Sequence, residues 1–168
     1  MRRLMWIGIA AIALMGTSAD AGSAPRRVSA GSGLSLVLPH GWRLGYERVS
    51  TCIDPLQRFV ATIGNVRLRP GMSIPPRSAL VLVQETFSQS RFPARPRSFV
   101  LPRLGKVGGC CEMPEGRGGE LLFRDHHGRR FYVFFYLGSR APAGARGDIV
   151  ALLNSLRVEP IPGAGAGA

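Results

Sequence analysis

Residues 120–137 read ELLFRDHHGRRFYVFFYL, and this stretch decides the fold. Two apolar runs, Glu120 to Arg124 and Arg130 to Leu137, flank Asp125-His126-His127-Gly128-Arg129. Gly128 supplies the positive φ that a tight reversal needs, so the stretch predicts a β-hairpin. In its second strand Phe131, Val133, Phe135 and Leu137 share one face, and Tyr132, Phe134 and Tyr136 share the other. With apolar side chains on both faces, other elements must cover both, at least in part.

The same two-sided pattern recurs upstream in Ala79 to Phe87. Leu80, Leu82 and Gln84 alternate with Val81, Val83 and Glu85, which predicts a central, largely buried strand. Between the two, Phe92 to Pro102 is broken by Pro93, Pro96 and Pro102 and reads as an extended edge or traverse. Phe59 to Ile63 reads as a further strand, with Val66 to Leu68 paired to it across Gly64-Asn65. Leu34, Leu36 and Leu38 form a strand that ends at Pro39, and the turn at His40-Gly41 leads to Trp42, a core anchor under the sheet. Toward the C-terminus, Ile149, Leu152, Leu153 and Leu156 fall at i, i+3, i+4 and i+7, the single apolar stripe of a helix over about Ala145 to Leu156. The fold class is therefore α+β: an antiparallel β-sheet with a C-terminal amphipathic helix packed on it.

The ends of the chain carry a different message. Arg2 and Arg3, the apolar run Leu4 to Gly16, and a small-residue stretch ending in Ala19-Asp20-Ala21 make a secretory signal peptide over 1–21, cleaved after Ala21. The apolar run is shorter than the roughly 20 residues a spanning helix needs, and no later segment is long and apolar enough. Residues 22–33 read as a flexible lead-in, 34–158 as a single domain, and 159–168 as a disordered Gly/Ala/Pro tail.

Lys and Arg number 22 against 10 Asp and Glu, a net charge of +12, and Lys106 is the only lysine. Ala, Gly, Pro and Arg share GC-rich codons and are all abundant, so composition alone accounts for much of the arginine. The charge attracts polyanions whatever its origin.

Taken together, Pro39-His40-Gly41-Trp42, Asp54-Pro55, Ala79-Leu80-Val81-Leu82-Val83-Gln84-Glu85, Arg91-Phe92-Pro93-Ala94-Arg95-Pro96 and Leu152-Leu153-Asn154-Ser155-Leu156 resemble a group of small actinobacterial domains. Those domains are exported or membrane-tethered and of uncharacterised function. The early Pro-x-Gly-Trp and the closing helix are also similar, more weakly, to the PsbP-like α/β sandwich. The resemblance implies a fold and a compartment; it carries no catalytic residues, and a fold does not name a function.

Few residues invite chemistry. Outside the cytoplasm two of Cys52, Cys110 and Cys111 are expected to pair, Cys52 with one of the others ahead of a strained vicinal bond. Closing a loop of nearly sixty residues stabilises by about 4 kcal/mol in the chain-entropy treatment. Three free thiols are the alternative, and the absence of Cys-x-x-Cys argues against redox activity. Asp125, His126 and His127 are read as a solvated turn whose imidazoles diverge, so no metal is expected. Glu112, Glu115 and Glu120 sit in a Gly-rich stretch that reads as a loop. No Gly-x-Ser-x-Gly elbow and no phosphate-binding loop are present, and no cofactor is expected.

The arginines remain. Arg91, Arg95, Arg97 and Arg103 follow the proline-rich traverse, and Arg124, Arg129 and Arg130 surround the hairpin tip. Meeting in space, they would form an anion-binding surface, since guanidinium forks match carboxylate and phosphate oxygens. A solvated face with local pairs, such as Arg124 or Arg130 with Asp125, is the plainer reading. The sequence thus points to a secreted, non-enzymatic binding or accessory module of the cell envelope. Its expected partner is another envelope protein or an acidic surface polymer, with no specific nucleic acid. A hydrolase or thiol-active enzyme is the alternative. A pocket joining a Cys or His to a carboxylate would favour the enzyme, and an arginine face or exposed apolar patch the module.

Overall fold

A computed structural model describes residues 25–47, 49, 57–88, 90–108 and 111–160. The leader expected over 1–21, the chain beyond Pro160, and both Cys52 and Cys110 lie outside these residues.

The predicted hairpin is the spine of the molecule. Strand β7 (Gly116–Arg124) pairs antiparallel with β8 (Arg130–Leu137), and β8 pairs in turn with β5 (Ala79–Thr86), Val81 opposite Phe135 and Val83 opposite Val133. Adding β3 (Arg43–Gly45), β4 (Gln57–Gly64) and β6 (Gly105–Val107) gives a six-stranded sheet ordered β3-β4-β5-β8-β7-β6. A second sheet has the order β1-β2-β9, from β1 (Arg26–Gly31), β2 (Leu34–Leu38) and β9 (Arg157–Val158). Every strand pairing in the two sheets is antiparallel.

Both faces of β5 and β8 are covered, as their two-sided pattern requires. On one face Val81, Val83, Val133 and Phe135 meet the helix α1 (Ala145–Ser155) and the small sheet, with Trp42 in the same core. Helix α1 buries Ile149, Leu152 and Leu153, and Leu156 follows them into that core. Each is worth about 1.5–3 kcal/mol before entropy is subtracted. On the other face Leu80, Leu82, Phe134 and Tyr136 pack against Leu68 and Met113 from the loops. Every residue of β5 is buried. Among the described residues the chain is α+β, with sheets predominating and one short helix near the C-terminus.

Four expectations need correction. The lead-in over 22–33 contains β1: Arg26 to Ser29 pair with Leu38 to Ser35, and Ala30 is buried. Pairing satisfies the outer backbone groups of β2, and the reversal through Ser32 and Gly33 uses positive φ at both, 51° and 69°. Val66 to Leu68 form no strand. The Asn65 side chain replaces the ladder there, with Oδ1 accepting from the Ala79 N–H at 2.8 Å, and the chain leaves the sheet so that Leu68 reaches the second core.

Gly116-Arg117-Gly118-Gly119 belong to β7, where a loop was expected, and Glu120 lies on the same strand. The glycines serve close packing: a Cβ at Gly118 would overlap the Phe135 carbonyl oxygen, and one at Gly119 would meet the Phe135 ring. Finally, the fold runs past 158. The Glu159 N–H donates to the Gly33 carbonyl at 2.8 Å, so this first residue of the expected tail is anchored.

Candidate functional site

The proline-rich traverse and the hairpin tip meet. Ala94 bridges Arg124 in parallel: the Arg124 N–H donates to Pro93 O at 2.7 Å and the Arg95 N–H to Arg124 O at 2.8 Å. Prolines lack the donor a regular strand needs, so only this short contact forms. It lays residues 91–97 along the end of β7 and opens a groove of about 520 Å³ lined by Ala94, Arg95, Pro96, Arg124, Asp125, His126 and Gly128.

Asp125 builds the tip. Its Oδ1 accepts from the His127 N–H at 3.1 Å and the Arg129 N–H at 2.7 Å, and Gly128 turns the chain at φ 81°. Asp125 is 5% exposed, and its Oδ2 is buried without a hydrogen-bond partner. The expected pairing of Asp125 with Arg124 or Arg130 is not formed, because the backbone holds the carboxylate inward. His126 and His127 are exposed, and their rings do not diverge: the centroids are 3.8 Å apart.

The seven arginines divide into two kinds. Arg129 is buried, donating from Nε to Glu85 Oε1 at 2.7 Å, from Nη2 to Glu85 Oε2 at 2.9 Å and from Nη1 to Glu159 O at 2.8 Å. It lies over the Phe131 ring, 5.3 Å from its centroid. Arg58 also pairs with Glu85. Burial pushes the Glu85 carboxyl up, but the hydrogen bonds and charges of Arg129 and Arg58 outweigh it and hold the group below its ordinary value.

Arg95 is half-buried. Its Nη2 donates to Leu153 O at 3.2 Å and Leu156 O at 2.7 Å, closing the C-terminal end of α1, and its guanidinium faces the rings of Phe99 and Phe123. Burial lowers its pKa, opposed by the charge of Asp125.

Arg91, Arg97, Arg103 and Arg124 are exposed and Arg130 is half-buried. Among the described residues, no ion pair or side-chain hydrogen bond engages any of these five guanidinium groups. Arg124 faces Arg130 across the hairpin, and Arg91 and Arg97 lie three residues to either side of Ala94, which bridges Arg124. Arg103 stands apart, beyond the traverse where Gly105 pairs with Gly118. Arg124 lies six residue steps along β7 from that position, a rise of about 20 Å.

A second basic groove was missed by reading 22–33 as a lead-in. Arg26, Arg27 and Arg43 line it with Trp42 and Tyr46, over about 640 Å³. The alternation of Val28 and Ala30 after Arg26-Arg27 was the available signal.

The other candidates are placed simply. Cys111 is exposed in a turn at φ 51° and is not a free thiol. His40 is exposed in the β2–β3 turn, and Glu115 pairs with Lys106. The hairpin groove joins His126 to the Asp125 carboxylate, the arrangement expected of the enzyme alternative, and it lies beside the exposed arginines expected of the module. Among the described residues no helix is long and apolar enough to cross a membrane. No family model, no curated protein and no solved structure matches the chain.

Proposed function

We propose that the chain is an exported, non-enzymatic binding module of the cell envelope that holds an acidic surface polymer on the arginine face where the traverse meets the hairpin. One observation carries this reading. Arg124 and Arg130 lie opposite each other at the end of the hairpin, with Arg91 and Arg97 three residues to either side of the Ala94 bridge; among the described residues none has a carboxylate partner, while Arg95 and Arg129 hold the scaffold. Unpaired guanidinium groups on a chain of net charge +12 favour polyanions by long-range attraction and forked hydrogen bonds.

Export rests on the n-, h- and cleavage-region pattern of 1–21. A disulfide joining Cys111 to Cys52 belongs to the same proposal, supported by Cys111 not being free. Kinship with the exported actinobacterial domains, and the weaker PsbP-like likeness, are part of the proposal too. Their support is the antiparallel sheet, the C-terminal helix, and Trp42 in the core after the Pro-x-Gly turn.

Titrating the untagged chain from Gly22 with polyphosphate in EDTA tests the binding reading. We expect binding that weakens at least tenfold between about 50 and 300 mM salt, since screening shortens the reach of exposed charges. Replacing Arg91, Arg97, Arg124 and Arg130 by serine is expected to weaken it at least tenfold at low salt. Unchanged affinity in that variant overturns the reading.

A further inference from the structure

We infer that Asp125, His126 and His127 form a binding site for one imidazole-preferring transition-metal ion of the zinc type. Three ligand atoms, one from each residue, lie within 4.8 Å of one another. Three donors around a tetrahedral zinc with bonds of 2.0–2.1 Å sit about 3.3 Å apart. Two exposed imidazoles at the tip of a turn can close that gap by side-chain rotation alone.

The carboxylate supplies the second, independent sign. Asp125 Oδ1 is committed to the backbone of the turn, whereas Oδ2 is buried with no hydrogen-bond partner. A buried oxygen left without a partner is costly, and a bound cation would satisfy it. Oδ1 would meanwhile orient the carboxylate through its two N–H donors, as outer contacts do for metal ligands. The backbone of one tight turn thus carries all three ligands, two of which, Asp125 and His126, line the groove.

The surroundings select the kind of ion. Arg95 and Arg124 line the same groove, and their charge opposes any cation held by electrostatics alone. Calcium and magnesium need several oxygen ligands, and among the described residues lining the groove only Asp125 offers a carboxylate. Zinc, copper and nickel bind neutral imidazole strongly enough to tolerate the positive rim.

Calorimetric titration of the untagged chain from Gly22 with Zn²⁺, in phosphate-free buffer, decides the matter. The expected result is one ion per chain, with no heat from Mg²⁺ or Ca²⁺. His126→Ala and His127→Ala should each weaken zinc binding at least tenfold, and His40→Ala should leave it unchanged. Both tip histidines are exposed, so their removal should spare the fold, which circular dichroism of each variant checks. Asp125→Asn keeps an oxygen for the turn and should weaken binding as well. Absence of zinc binding, or binding that survives both tip variants, overturns the inference. This site stands independently of the polyanion reading, because EDTA is present in one titration and phosphate is absent from the other.

Discussion

The Arg129 guanidinium holds the Glu85 carboxylate through two parallel hydrogen bonds, Nε to Oε1 at 2.7 Å and Nη2 to Oε2 at 2.9 Å, tying the hairpin to the middle of the sheet. The pair sits where β5 ends and β8 begins, and Arg129 also reaches the Glu159 carbonyl beyond β9. One side chain thus joins the six-stranded sheet to the chain that leaves the small one.

Removing Arg129 leaves a buried carboxylate with Arg58 as its remaining ion-pair partner. Arg129→Met is expected to destabilise the chain by about 3 kcal/mol, as for other broken buried pairs. The double variant Arg129→Met with Glu85→Leu should recover part of that loss, because no uncompensated charge then stays buried. Urea unfolding at pH 7 measures both. A loss below about 1 kcal/mol in the single variant would show that the pair does not hold the sheets together.

The same carboxylate sets an acid limit. Glu85 titrates below its ordinary value in the fold, so the unfolded chain takes up the proton first as pH falls. Its stabilisation is complete above the usual carboxylate range and is lost as pH drops through the lowered folded value. Unfolding free energies between about pH 6 and pH 3 should fall steeply for the native chain. Glu85→Gln starts lower and should show a shallower fall. Parallel pH profiles for the two would exclude Glu85 as the cause.

Arg95 and Arg97 are two residues apart yet should behave oppositely. Arg95→Ala removes the donors to Leu153 O and Leu156 O and exposes the edge of two aromatic rings. It is expected to cost about 1–3 kcal/mol. Arg97→Ala, on an exposed side chain without partners, should stay within about 0.5 kcal/mol. Thermal unfolding of the two variants checks the division into scaffold and surface arginines.

Gly118→Ala tests the close approach of β7 to β8. The added methyl would overlap the Phe135 carbonyl oxygen, and backbone cannot yield as a side chain can. A loss of about 2–3 kcal/mol is expected, read by urea unfolding. A neutral result would mean that the glycine run is not required for packing.

The sequence made the core legible because its signals were strong. Two-sided apolar alternation identified β5 and β8, and the four-residue stripe identified α1. Elements built from small or glycine residues escaped. In β1 only Val28 and Ala30 point inward, and the β7 glycines answer to a carbonyl on a neighbouring strand that no local pattern encodes. At the candidate site, the run of arginines was visible, but which of them face water was not. Arg129 is distinguished by a carboxylate 44 positions away, and Arg95 by the carbonyls at the end of a distant helix. The histidine pair is exposed in a turn as expected, but its rings do not diverge: the turn held by Asp125 brings them together.

The most direct test of the arginine face is residue-resolved. Polyphosphate is titrated into the ¹⁵N-labelled chain from Gly22 at low salt in EDTA, and backbone amide shifts are followed. The account predicts saturable shifts at Arg91, Arg97, Arg124 and Arg130 and at Ala94 beside them, with Ile149 to Leu153 of α1 unmoved. Shifts confined to Arg26, Arg27 and Arg43, or no saturable shift anywhere, would contradict it.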